Sequence, residues 1–405
     1  SGDYHLQVTS PLIDRCVSGG NSDFDAERRP IVRRTAASPY DMGADEVSGA
    51  LRVGLNGPPC AYGTVQQAIN AAANGDVLRI AEGVYFENID VSNKDIVLEG
   101  GYDSACASAG TGATRIEGSL GTDSTVDVSN STVVLRDLEI AWGAGAGGGL
   151  GTQSGALVTL DQTVIRDNHG TYGGGVYVSA GTAVTLTNDS DVINNTASVH
   201  GGGARVWGTM VGEDTFADIN FNCAPHGGGV SASGGTLTLD ASDMQGNEAA
   251  NADGRGGGIY AEAGANLTLS QNAWVYDGTA HDGGGIYLTG ATLSLAHGVL
   301  GSNAATGDGG GAYLVNDSTL IGGVLAQIGK VGFGNSADDG GGLYVEGSVV
   351  DYAGQVMNNA TSRHGGGIAA AGFSDVTIRE AALHDNTAGV YGGAIYARDS
   401  SVSMS

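Results

Sequence analysis

Gly256-Gly257-Gly258-Ile259-Tyr260-Ala261 returns 27 residues later as Gly283-Gly284-Gly285-Ile286-Tyr287-Leu288, and this echo decides the fold. The same mark, a glycine triplet and then an apolar residue, also starts at Gly147, Gly173, Gly201, Gly227, Gly309, Gly340 and Gly365. A variant stands at Gly392-Gly393-Ala394-Ile395. Successive marks lie 26, 28, 26, 29, 27, 26, 31, 25 and 27 residues apart. Each period repeats one grammar. A short alternating run follows the triplet (Val176-Tyr177-Val178, Leu343-Tyr344-Val345), then a turn, then a second run (Val184-Thr185-Leu186, Leu267-Thr268-Leu269). A third stretch ends in asparagine, as in Val192-Ile193-Asn194-Asn195 and Val356-Met357-Asn358-Asn359.

Strict alternation over short runs marks strands with one buried face. A fixed period of this size marks a repeat architecture. Three short strands in so few residues leave no room for a helix in each repeat, and a propeller blade needs a longer unit with four strands. The arrangement that remains is all-β: a right-handed parallel β-helix, a solenoid with three short strands per coil. Each strand pairs with its counterpart in the next coil, about 4.8 Å away. The glycines suit corners that branched residues resist. The asparagines are expected to stack as a side-chain amide ladder from coil to coil.

Composition narrows the function classes. Acids outnumber bases 44 to 17, the formal charge is −27, and the only lysines are Lys94 and Lys330. No basic footprint for nucleic acid exists, and no apolar run is long enough to span a membrane. Ahead of the repeats, Thr64 to Asn74 reads as the single helix. Val65, Ala68, Ile69 and Ala72 share one face, Thr64 and Gln67 form a capping box, and Asn74-Gly75 stops it. Such a helix covers the open end of the first coil. The chain thus divides into residues 1–47, a linker and capping helix over 48–76, and the β-helix over 77–405.

The segment Tyr62-Gly63-Thr64-Val65-Gln66-Gln67-Ala68-Ile69, with Asn74-Gly75-Asp76 and Gly83-Val84-Tyr85-Phe86-Glu87-Asn88, resembles the opening of secreted bacterial right-handed β-helix proteins of the pectin-lyase-like fold. Gly392-Gly393-Ala394-Ile395 and its triplet relatives resemble the repeats of polymorphic outer-membrane protein passengers, although the companion Phe-x-x-Asn motif is largely missing. Together the resemblances span roughly residues 60–405. Asp3-Tyr4-His5-Leu6, Ser10-Pro11-Leu12-Ile13-Asp14 and Tyr40-Asp41-Met42-Gly43-Ala44-Asp45-Glu46 resemble the segment that closes such a β-helix at its C-terminal end. Here that segment comes first, and Ser401-Val402-Ser403-Met404-Ser405 follows a repeat directly. Two expectations follow: a piece of a longer tandem array, or head-to-tail completion of one copy's last coil by residues 1–47 of the next, which builds filaments. The resemblance implies a protein outside the cell or on its surface, with a second copy of itself or a matrix polysaccharide as partner.

Catalytic signals are sparse. The lysines are isolated, the Asn-Thr-Asp and Gly-His-Gly motifs of β-helix hydrolases are absent, and no Gly-x-Ser-x-Gly elbow, HExxH or P-loop occurs. The favoured reading is a structural, adhesive or filament-forming rod, with a carbohydrate-binding or carbohydrate-active β-helix as the alternative. Stacking singles out the residues just before the triplets: Tyr172, His200, His226, Arg255, Asp282, Asp308, Asp339, His364 and Tyr391. Asp282, Asp308 and Asp339 fall on consecutive coils, and their oxygens suit calcium; solvated loop carboxylates are the plainer reading. Tyr260, Tyr287, Tyr313 and Tyr344 form an outward aromatic ladder, suited to a sugar or a partner surface or simply to shielding the sheet. Cys60 and Cys106 flank one compact segment and fit either a disulfide or two buried thiols.

Overall fold

In the computed structural model, residues 51–55, 60–119, 121–213 and 217–405 are described. The expected closing segment, residues 1–47, lies outside them. The chain winds as a right-handed parallel β-solenoid of about 13 turns. The wall entered after each triplet, exemplified by Val176–Val178, is a twelve-stranded sheet, and the second, exemplified by Ala183–Thr187, has fourteen strands. The third is two six-stranded sheets laid end to end, joined where Asn220 Oδ1 accepts the Gln245 N–H at 2.7 Å. Fourteen strands at about 4.8 Å spacing make a rod about 60 Å long.

Three strands per coil hold in the first turns. From His169–Tyr172 onward a fourth, nine-stranded wall is added just before the triplet. Some of its strands are only two residues long, such as Cys223–Ala224 and Thr279–Ala280. A two-residue strand has no period to read, and longer ones such as His169–Tyr172 and Ala360–His364 carry no alternating apolar residues, so alternation does not reveal this wall.

Register makes the core. In the second wall Val184 pairs with Met210, Met210 with Leu237, and the line continues through Leu267, Leu293, Leu320 and Val350 to Val376. All of these side chains are buried, and each stabilises the rod by about 1.5–3 kcal/mol. The triplet closes the corner for steric reasons. Gly256 has φ +66°, and a Cβ there would lie 2.0 Å from the Ile259 carbonyl oxygen. A Cβ on Gly257 would lie 2.3 Å from the carbonyl oxygen of Gly284 in the next coil. Only glycine fits both positions.

The helix α1 runs over Val65–Ala71, shorter than the periodicity suggests, and buries Val65, Ala68 and Ile69 on the first coils. Thr64 Oγ1 accepts the Gln67 N–H at 3.2 Å. Glu87 from the solenoid takes the next two free donors, the Val65 and Gln66 N–H groups, at 2.7 and 3.0 Å. At the other end Lys94 Nζ donates to the Ile69 and Asn70 carbonyls at 2.6 and 3.0 Å. Both ends thus receive charge of the sign their unpaired backbone groups favour.

Candidate interaction faces and cleft

Two outward columns flank the glycine corner, one ending the fourth wall and one on the first. The expected tyrosine ladder lies on the first wall, in register: Tyr260 opposite Tyr287, then Tyr313, then Tyr344. The rings stack at centroid distances of 5.7, 4.9 and 4.8 Å with interplanar angles of 20°, 12° and 25°. Ring faces are therefore turned toward one another, and Tyr260 and Tyr287 are only 7% and 6% exposed. Phenol oxygens reach carboxylates: Tyr260 donates to Glu262 and Tyr313 to Glu346, each at 3.1 Å. Burial and Glu262 push the Tyr260 phenol up to about 12.

The stack extends beyond the tyrosines. His200 stands on His226 at 5.4 Å, both rings lie within 6 Å of Tyr260, and Tyr172 stacks on His200 at 6.5 Å. Arg255 lies over the Tyr287 ring at 5.1 Å. Burial, with Arg205 and His226 adding repulsion, pulls His200 down to about 4. The pre-triplet positions carry both the histidines and the arginine; what periodicity alone misses is that this column leans across the glycine floor onto the tyrosine column.

Asp282, Asp308 and Asp339 do stand on consecutive coils of the fourth wall. Each Oδ1 accepts the backbone N–H of the next coil: Asp282 from Asp308 at 3.1 Å, Asp308 from Asp339 at 3.1 Å, Asp339 from His364 at 2.8 Å. Arg363 and the His364 ring also face Asp339, at 3.5 and 2.9 Å. Burial and the neighbouring Asp339 push Asp308 up to about 6. Among the described residues, no group of three His, Cys, Asp or Glu side chains is arranged to hold a metal ion. A second carboxylate column, Asp191, Asp218 and Asp243 on the third wall, has the same character: burial and Asp218 push Asp191 and Asp243 up to about 6. This column is carried by the third run of each period, at one phase of the repeat.

One cleft of about 760 Å³ opens where the rod departs from uniformity. Gly100 and Gly101 line it, and its charged lining is Glu99, Asp137, Glu139 and Arg166. Glu139 is gripped by Arg115 at 2.5 Å and by Arg166. Tyr102 donates to Glu99 at 2.6 Å. Burial, Glu99 and Asp161 push the Asp137 carboxyl above its usual range. The outer rim is an excursion over residues 103–112. The Asp103 carboxylate accepts the N–H groups of Ala105 and Ala107, and Glu82 accepts those of Thr111 and Gly112. The sulfurs of Cys60 and Cys106 are bonded, tying the excursion to the segment before α1.

No family model matches this chain, and no curated protein matches it. Among solved structures, the catalytic unit of a thermostable GH87 α-1,3-glucanase from Streptomyces thermodiastaticus strain HF3-3 matches over 89% of this chain and 70% of that chain, at 15% identity and a TM-score of 0.25.

Proposed function

We propose that this chain is a non-catalytic extracellular rod with a structural and adhesive role. The observation that supports it best is the aspartate rail. Carboxylates that an enzyme would hold free for substrate are spent on the next coil's backbone N–H groups. The asparagine and tyrosine columns are likewise satisfied along the rod. A surface built this way transmits load through repeated pairing, and its negative charge keeps it dispersed. Two finer parts belong to the proposal: head-to-tail assembly through residues 1–47, and cation bridging by calcium at Asp282, Asp308 and Asp339. Negative-stain electron microscopy with and without calcium tests them, on the full chain and on a variant lacking residues 1–47. Filaments that vanish with that segment support assembly through it; separate short rods in every condition count against it.

The cleft favours one other reading, a carbohydrate-active site, because Glu99 and Asp137 both line it and act on one another there. Release of reducing ends from a polysaccharide panel, lost in Asp137→Asn, would establish that reading and remove the non-catalytic one.

A further inference from the structure

The longest period in the repeat, 31 residues from Gly309 to Gly340, contains an insertion. In neighbouring coils the third-wall strand passes almost at once to the fourth: Tyr276 to Thr279, Gly301 to Ala304, Met357 to Ala360. Here the chain leaves at Ile328 and returns at Ser336. The excursion is an ordered hairpin turn. Lys330 and Phe333 exchange both backbone hydrogen bonds, at 3.2 and 2.8 Å, and Gly332 supplies φ +81°. The extra residues therefore deliver two side chains, Lys330 and Phe333, to one place on the third wall.

That place is Trp274. Its ring meets Phe333 edge-on at 5.6 Å and 84°, and Tyr276 edge-on at 5.8 Å and 79°. Lys330 Nζ sits 4.5 Å from the centre of the Trp274 ring. A seat is prepared for Phe333. The residue paired above Tyr276 is Gly301, where a Cβ would lie 3.2 Å from the Phe333 Cβ, and Ser302 donates its N–H to the Phe333 carbonyl at 3.1 Å. The field is negative: Asp243, Asp218 and Asp277 all act on the Tyr276 phenol. Perpendicular aromatic walls in a negative field are the arrangement that holds ammonium groups with no carboxylate in contact. Of the chain's two lysines, Lys94 is spent on the carbonyls of α1, whereas the partner of Lys330 is this ring.

We propose that Trp274, Tyr276 and Phe333 form an aromatic box for a small quaternary or methylated ammonium group, which Lys330 occupies in the free protein as a tethered competitor. The ligand displaces the lysine, and the insertion positions both the third wall of the box and its competitor. The inference is independent of the rod's catalytic status.

The probe is tetramethylammonium chloride, titrated against sodium chloride at equal ionic strength and followed by tryptophan fluorescence. The proteins are wild type, Lys330→Ala, and Lys330→Ala combined with Trp274→Leu. The expected result is a saturable change in wild type, at least about 5-fold tighter binding once the competitor is removed, and loss of saturation without Trp274. Lys330→Met, which keeps the apolar stem, serves if Lys330→Ala does not fold. No saturable, Trp274-dependent response in a folded Lys330 variant overturns the proposal, as does equal affinity in wild type and variant.

Discussion

Asn222 carries the argument at the scale of one residue. Its Oδ1 accepts the Asn195 backbone and side-chain N–H groups at 2.8 and 3.1 Å, and its Nδ2 donates to Val192 O and Asn247 Oδ1 at 2.9 and 3.1 Å. The residue is 1% exposed, so water cannot replace a lost partner. Asn222→Ala leaves the Asn195 N–H buried and unpaired, at about 1–3 kcal/mol, and removes the side-chain bonds to Asn247 and to the Val192 carbonyl, which keeps its ladder partner on the next coil. The expected outcome is a loss of about 3 kcal/mol in denaturant unfolding with the fold retained at zero denaturant. The ladder itself is legible in sequence, because asparagine recurs at one phase of the period. Its interruption is legible too, once the register is known: Gly278 stands in the rung and donates its own N–H to Asn303 at 3.0 Å. The role of Glu87 in finishing the α1 cap was not legible, because it joins residues from different coils and no local pattern records it.

At the scale of one wall, the aspartate rail sets a pH dependence of definite sign. Asp308 moves from 3.8 to about 6 on folding, through burial first and Asp339 second. The fold then holds this proton more tightly than the unfolded chain does. Stability from the group is fully present at and below about pH 4 and is lost as pH rises through about 6. His200 acts in the opposite sense. It falls from 6.5 to about 4, so its contribution is complete above pH 6.5 and is lost as pH falls toward 4. Because the two windows overlap, the informative quantity is a difference between proteins. Asp308→Asn keeps an oxygen for the Asp339 N–H and removes the charge. It is expected to melt at a higher temperature than wild type at pH 7.5, with the advantage shrinking steadily toward pH 4.5. Circular dichroism melts at a series of pH values check this; a constant gap across the range would refute it. The carboxylate column is legible from spacing, but its bonding to the next coil's backbone is not, since that depends on the fourth wall, which no alternation marks. The same holds for the tyrosines: spacing placed them outward, and only the ring geometry shows that their faces are used on one another.

For the whole molecule the period is the structure, and the period makes a prediction about length. Each coil contacts its two neighbours, so stability is a sum of coils and interfaces. Removing residues 256–282, one triplet-to-triplet unit, joins Arg255 to Gly283. The coil that follows Gly227 then meets the coil that follows Gly283 with every wall in phase: Val230 on Ile286, Leu237 on Leu293, Met244 on Leu300. The excised coil is the one in which Gly278 interrupts the amide ladder, so Asn247 comes to face Asn303 and the rungs become continuous. Trp274 and Tyr276 leave with it, but the core loses nothing that its neighbours do not supply again. The expected product is a folded rod about 4.8 Å shorter, with melting within a few degrees of wild type and a β-sheet circular dichroism spectrum. Removing only residues 256–269 deletes less chain yet strips the first and second walls from one coil and leaves its third strand where a first belongs. That variant is expected to unfold or aggregate, because a half-period exposes the apolar faces of both neighbours. Tolerance that follows phase rather than the number of residues removed is the behaviour of a solenoid and of no fold with a single closed core.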